Sequence, residues 1–280
     1  MEFVFRRIVP EAERNASILA KSKCNLKRSN RLSGHSKWHN IRLRKGKADA
    51  QRGALFTKLS KEIVLALRSG SADPEANYRL KMAIEKAREN NMPHDTIKRL
   101  LARAAGGEGA KDIEEIRYEG YGPGGIAVIV DAATDNRNRT ASEMRFTFSR
   151  HGGSLGETNS VAWMFEPAGI IEVDPAGRSE DELTESALID GVVDIEYDAP
   201  ATIYTDPDAL HAVRLALAQR GLHPGQAYLG MRAKSKVMPA EDQAPEALAL
   251  LDALEGHEDV QRLFSNAEFS DAALALAATT

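Results

Sequence analysis

The sequence predicts a multi-domain protein of the α and α+β classes: an N-terminal helical domain, then a split α+β (ferredoxin-like) domain with a second ferredoxin-like domain inserted into it. Three observations carry that expectation. Apolar residues recur at helical spacing as far as Arg103. Beyond the glycines of 106–109 the pattern changes to short strands alternating with helices. Residues 166–237 then hold one complete β-α-β-β-α-β order, while the pieces on either side of it lack partners of their own. At about 100 to 200 residues per domain, a chain of 280 residues has room for two or three.

The elements follow in order. Residues 1–33 have apolar patches (Phe3 to Phe5, Ile18 and Leu19) but no sustained stripe and no signal-peptide core, so they are set aside as an extension or a misassigned start. Residues 34–110 form the helical domain. Leu55, Leu59, Ile63 and Leu67 step by four along one face, with Gly70 placed to end that helix. Asp73-Pro74 reads as the cap and first position of a second helix with stripe Ala76, Leu80, Ile84 and Ala87, which stops near Asn90-Asn91. A third starts near Pro93 and carries Ile97, Leu100, Leu101 and Ala104 on its apolar side.

"IEEIRYEGYGPGGIAVIVDAAT" reads as two strands around a Gly/Pro turn, followed by a helix to Arg150 capped by Asp135 and a strand at Val161–Phe165. Residues 111–165 and 238–280 together make the split domain, the later part supplying a strand near Lys236, a helix from Pro245 to Leu254 and a strand from Asp259 to Phe264. The inserted unit of 166–237 opens on "IIEVD". Next come a helix with the capping box Ser179-x-x-Glu182, the strands "VDIEYD" and "ATIYT", a helix opened by Asp206-Pro207, and the strand "QAYLGMRA".

Charge is distributed unevenly. Residues 1–33 hold 8 Lys and Arg against 3 Asp and Glu, and residues 34–103 hold 16 against 7, whereas the remainder carries 13 against 31. A basic front on an acidic body is the asymmetry expected of a polyanion binder, and the competing reading is a set of solvated helix faces. No apolar run approaches the roughly 20 residues needed to span a bilayer, so no membrane partner is expected. The only cysteine, Cys24, has no partner in the chain, which fits a reducing, cytoplasmic compartment. A basic leader could alternatively be a mitochondrial or plastid transit peptide, against which stand Glu2, Glu11 and Glu13.

The blocks "GHSKWHNIRLRKGKADAQRGALFTKLSKEI", "NYRLKMAIEKARENNMPHDTIKRLLARAAG", "YEGYGPGGIAVIVDAATDNRNRTASEMR" and "VAWMFEPAGII" resemble the YebC/PmpR family, which includes the mitochondrial translational activators of cytochrome c oxidase. The likeness runs from Gly34 to about Phe269. It implies three domains, the third inserted in the second, and a nucleic-acid-binding regulator of gene expression: a transcriptional regulator on DNA, or alternatively a translation factor that binds ribosomal RNA or tRNA and relieves stalls at proline-rich sequences. Members of the family begin Met-Ala-Gly-His-Ser-Lys-Trp, where this chain has Arg31-Leu32-Ser33 before Gly34. A non-AUG start at Leu32 is therefore expected to account for the extension.

The candidate contacts are cations. Lys37, Arg42, Arg44, Lys45, Lys47, Arg52 and Lys58 crowd one segment with Asp49 as its only acid, and Lys and Arg bind phosphates by displacing counterions. Trp38 sits among them. It either stacks on an unpaired base or anchors the segment in a core. Lys98 and Arg99 lie on the third helix, which resembles the second half of a helix-turn-helix with Asn90-Asn91-Met92-Pro93 in place of the usual glycine turn. Arg137 and Arg139 occupy the first turn of a helix, where the macrodipole disfavours cations. They call for either a bound phosphate or pairing with Asp131, Asp135 or Glu119.

Other motifs are weaker. His35 and His39 at i, i+4 lack the glutamate and thiols of a zinc site, and "GYGPGG" leads into no helix as a phosphate loop must. No nucleophile motif is present, so a non-catalytic role without cofactors is expected. The acidic body is the expected docking surface for a protein partner, a polymerase or a ribosome.

Overall fold

The computed structural model describes residues 48–105, 113–197 and 200–279, with side chains described for 53–102, 113–197 and 200–275. Three helices come first: α1 (Ala48–Arg68), α2 (Tyr78–Glu89) and α3 (His94–Ala105). Leu59, Ile63 and Ala66 of α1 meet Leu80, Ala83, Ile84 and Ala87 of α2, and Met92 and Ile97 close the small core.

The second helix starts later than the Asp73-Pro74 signal suggested. Asp73 instead makes a tight turn, its Oδ1 accepting the Glu75 N–H at 3.0 Å, and Ala76 is exposed. The cap is Asn77, which is buried: Oδ1 accepts the Leu80 N–H, while Nδ2 donates to the carbonyls of Ala66 and Ser71. One amide thus caps α2 and satisfies a carbonyl at the end of α1, which a residue outside the fold could not do. Asn91, with φ 59°, takes the left-handed conformation that a glycine would usually supply after α2.

Strands β1 (Glu114–Tyr121), β2 (Ala127–Thr134) and β3 (Ser154–Leu155) surround helix α4 (Arg137–Arg150) in sequence. The first sheet has the order β3-β1-β2-β8, all antiparallel, with β8 (Val260–Ser265) contributed from the far end of the chain. Helices α7 (Ala244–Gly256) and α8 (Asp271–Thr279) belong to the same far segment. The expected split is therefore present.

The second sheet is made by β4 (Phe165–Asp174), β5 (Val192–Glu196), β6 (Ala201–Thr205) and β7 (His223–Ala233), in the order β5-β6-β4-β7. With α5 (Glu180–Ala187) and α6 (Leu210–Gln219) as its crossovers, this is the ferredoxin-like arrangement. The capping box of α5 forms as expected, with Ser179 and Glu182 bonded reciprocally. A single 3₁₀ turn, Pro207–Ala209, precedes α6.

Both sheets are covered on two faces, which explains why β2 reads as an almost unbroken apolar run. Val128 and Val130 pack with Met144 and Phe148 of α4 and Leu248 and Leu251 of α7. Ala127, Ile129 and Phe264 turn the other way, against Phe165, Ile170 and Tyr228 of the second sheet. At Gly230 a Cβ would come within 2.6 Å of Ile170 Cδ1 and 2.8 Å of Phe264 Cε1, so the two sheets meet there without room for a side chain.

Three local expectations are corrected. Helix α4 is capped by Asn136, whose side chain accepts the Arg139 N–H at 3.1 Å, and Asp135 is left for an ion pair. The segment near Lys236 to Met238 makes only one parallel bridge, Val237 to Ala267. Val161 to Met164 is not a strand: residues 162–164 form a 3₁₀ turn, and the strand runs unbroken from Phe165 to Asp174. Glu119 is the physical reason. Its carboxylate, on a residue only 3% exposed, accepts the N–H groups of Asn159, Val161 and Ala162 at 2.8 to 2.9 Å, which removes them from any ladder.

Replacing Glu119 by Gln turns one of those acceptors into an amide donor facing backbone N–H. The expected cost is about 1–3 kcal/mol, read as a lower urea midpoint. An unchanged midpoint would show that the turn does not depend on the carboxylate.

Candidate nucleic-acid interface

Among the expected contact residues, Lys37, Trp38, Arg42, Arg44, Lys45 and Lys47 lie outside the described residues, as do His35 and His39 and the 106–109 glycines. Arg52 falls within α1, and only its backbone is described. Lys98 and Arg99 are exposed on α3 beside the buried Ile97, so this helix does present a basic outer face. Among the described residues Arg99 bonds locally, to the Asp95 carbonyl at 3.2 Å and to Thr96 Oγ1 at 3.3 Å.

Lys58 is placed differently. Its Nζ donates to the backbone carbonyl of Glu255 at the end of α7, so it points into the body of the protein. Lys61, one turn on, bonds the Asp259 carboxylate. Glu62 lies between Lys86 of α2 at 3.4 Å and Arg262 of β8 at 2.9 Å. The guanidinium of Arg262 in turn stands over the Tyr228 ring at 4.6 Å. Arg79 pairs with Glu115 at the start of β1, and Arg68 donates to the Ile113 carbonyl at 2.8 Å. On the other side α2 touches α6, through Arg214 with Glu85 at 3.7 Å and the edge-on pair of Tyr78 with His211. The three-helix head is thus joined to both sheets by ions and polar groups at many points.

Asp259 is the centre of this joint. Its side chain has no exposed surface, and Lys61, Thr140 at 2.7 Å and Arg139 at 2.9 Å all donate to it. Burial alone would raise its pKa. The hydrogen bonds from Lys61, Thr140 and Arg139 more than offset that and lower it from 3.8 to about 2. Glu62 is likewise lowered: burial opposes ionisation, and Lys86 and Arg262 outweigh it.

The pair at the start of α4 therefore separates. Arg139 is held by Asp259, by Asp135 at 3.3 Å and by Glu143 at 3.8 Å. Asp131, by contrast, bonds Arg117 at 2.7 and 3.0 Å, and Glu119 is committed to backbone. Arg137 remains exposed, with no carboxylate partner among the described residues. The unfavourable dipole at Arg139 is thus compensated inside the protein, mainly by a residue 120 positions away that no local pattern indicates.

Glu143, His257 and Asp259 also bring ligand atoms within 4.8 Å of one another. These groups are already engaged with one another and with cations: both Asp259 oxygens accept from cations, His257 Nε2 bonds Glu143 at 3.0 Å, and His257 Nδ1 accepts the Asp259 N–H at 3.1 Å. The donor set fits an ion-pair network better than a metal. In Gly120–Gly125 the first two residues end β1 and the rest is a turn, closed by the Gly122 N–H bond to the Ile126 carbonyl at 2.8 Å and using positive φ at Gly124 and Gly125, which leads into a strand. No helix among the described residues is long and apolar enough to cross a membrane.

These parts define a class: an α and α+β protein whose three-helix head is tied by ions to the rim of two antiparallel sheets, one unit inserted in the other. Residues 36–107 match the TACO1/YebC protein N-terminal domain and residues 113–267 the TACO1/YebC second and third domain, and the chain belongs to the TACO1/YebC family. It is 49% identical over 243 residues to a "Probable transcriptional regulatory protein" of Chloroflexus aggregans, covering 85% of this chain and 96% of that one. A protein of the same name from Desulfitobacterium hafniense is 44% identical over 244 residues, covering 86% and 97%. The crystal structure of a conserved hypothetical protein from Aquifex aeolicus shares the fold, with TM-score 0.75 and 43% identity over 80% of this chain and 93% of that one.

Proposed function

We propose that this protein is a non-catalytic regulator of gene expression that binds DNA through its basic front, from Lys37 to Arg52, with Lys98 and Arg99 of α3 extending the contact. The observation that carries this reading is the charge division. Residues 34–103 hold an excess of nine positive charges while everything after them is strongly acidic, and Lys98 and Arg99 stand on the outer face of α3 with no carboxylate partner among the described residues. The names carried by the relatives support a role in transcription. Lys58 and Arg139 serve the joint in this reading, and the acidic body is left to a protein partner such as polymerase.

Ultraviolet crosslinking in living cells, followed by sequencing of the DNA and RNA attached to the protein, tests the reading. Reads concentrated at promoters are expected. Reads concentrated on ribosomal RNA or tRNA would overturn DNA as the target and make the protein a translation factor.

A further inference from the structure

Helix α4 is out of keeping with the acidic body that contains it: it holds four arginines and one glutamate in 14 residues. Its inner face is Thr140, Met144 and Phe148, all buried. The opposite face carries Asn138, Ser142, Arg145, Phe146 and Ser149, every one exposed and spaced as one stripe at i, i+4, i+7, i+8 and i+11, with Arg150 at its edge. No acid lies on this stripe. The helix's single glutamate, Glu143, is turned toward His257 and Arg139.

Phe146 is 63% exposed, an unusual position for a large aromatic in a well-packed helix. The Arg150 guanidinium lies 5.9 Å from the centre of its ring, and neither Arg145 nor Arg150 has a carboxylate partner among the described residues. Core packing does not require this arrangement, because Met144 and Phe148 already supply the buried side.

We infer that the outer face of α4 is a second nucleic-acid contact, specific for an unpaired strand: Phe146 stacks on a base while Arg145 and Arg150 hold the phosphates on either side of it. The inference rests on the nucleic-acid reading above and extends it to a helix about 90 residues further along the sequence than the basic front. Three features select this occupant. The stripe is cationic and lacks acids, as a polyanion requires. An exposed ring flanked by guanidinium groups is the platform on which single-stranded bases stack, whereas a duplex keeps its base faces covered. Arg145 and Arg150 are separated by about 7.5 Å along the helix axis, on the scale of one nucleotide step in an extended strand. Ser149, exposed one residue before Arg150, adds a short polar group beside the same phosphates.

The test uses the full-length protein with a fluorescein-labelled oligouridylate, a duplex DNA of equal length and a labelled poly-glutamate peptide, followed by fluorescence anisotropy across a salt series. Phe146→Ala is expected to weaken oligouridylate binding about tenfold, in keeping with the usual loss of one stacked base, with little change in duplex affinity. Arg145→Glu with Arg150→Glu is expected to reduce the steepness of the single-strand salt dependence by about 1.4. Because all three side chains are exposed, both variants should keep the wild-type urea midpoint. Unchanged oligouridylate affinity in both variants, while reversal of Arg42, Arg44 and Lys45 still abolishes binding, would overturn this inference and leave the proposed function standing. A wild-type protein that binds poly-glutamate but neither nucleic acid would overturn both.

Discussion

Replacing Arg42, Arg44 and Lys45 together by glutamate is expected to abolish nucleic-acid binding while the protein stays folded. Each cation that neutralises a phosphate releases a counterion and contributes about 0.9 to the slope of log affinity against log salt on duplex DNA, so losing three flattens that slope by roughly 2.7. The reversal also places three negative charges opposite phosphates, adding repulsion to the lost attraction. The six cations from Lys37 to Arg52 share their stretch of sequence with one acid, Asp49, so neighbours in the sequence can neutralise few of them. Fluorescence anisotropy with a labelled duplex measures it, and an unchanged circular dichroism spectrum and urea midpoint show that the fold survives. Full affinity retained at low salt would refute the assignment of the basic front.

The second large effect is expected at Asp259. Replacing it by Ala leaves Lys61 and Arg139 without their buried counter-charge and Thr140 without its acceptor, a loss of about 3–5 kcal/mol when one partner of a buried pair is removed. The damage should centre on the joint. Amide hydrogen exchange is expected to accelerate first in α1, which loses its bond to the α7–β8 corner, and the urea midpoint should fall. A midpoint unchanged from wild type would show that the remaining contacts of Glu62, Arg79 and Arg68 suffice to hold the head.

Acid acts on the same group. The folded pKa of Asp259 lies below its ordinary value, about 2 against 3.8, so ionised Asp259 contributes stability that is complete above about pH 4 and is lost as the pH falls through 2. Asp259→Ala should therefore remove the part of the acid sensitivity that lies in that window. An acid-unfolding curve for the variant parallel to that of wild type would contradict it.

Much of the fold was legible in the sequence, for a definite reason. The step of four from Leu55 to Leu67 and the Ser179-x-x-Glu182 box are signals whose donor, acceptor or apolar neighbour lies within a few residues, so pattern and structure agree there, whereas the helix expected to open at Asp206-Pro207 begins at Leu210 after a 3₁₀ turn. The misreadings have an equally definite cause. Asp73-Pro74 is a sound helix start by local chemistry, but Asn77 is the residue whose amide can also reach Ala66 and Ser71. "VAWMF" has strand composition, but Glu119, 42 residues before Val161, takes its N–H groups.

Candidate contact residues divide along the same line. Lys98, Arg99 and Arg137 could be placed at the surface from helical position, because exposure on a short amphipathic helix is a local property. Lys58 and Arg139 could not be distinguished from them by spacing, since what engages them is a carbonyl and a carboxylate 197 and 120 residues away. Arg145, Phe146 and Arg150 were open to discovery: the buried series Thr140, Met144 and Phe148 leaves them on the far side of the helix, and an arginine-rich helix in an acidic region is visible by counting.

The sequence by itself determined the helical head, the alternating strands and helices, the complete unit set inside an incomplete one, and the basic front on an acidic body. All of these follow from periodicity, capping and charge read over short windows. Only the tertiary structure decided how the head is held, which cations it uses and which side of α4 stays open. Lys61 and Asp259 are 198 residues apart, and their pairing exists only because β8 returns to lie beside β2 and brings the end of α7 against α1.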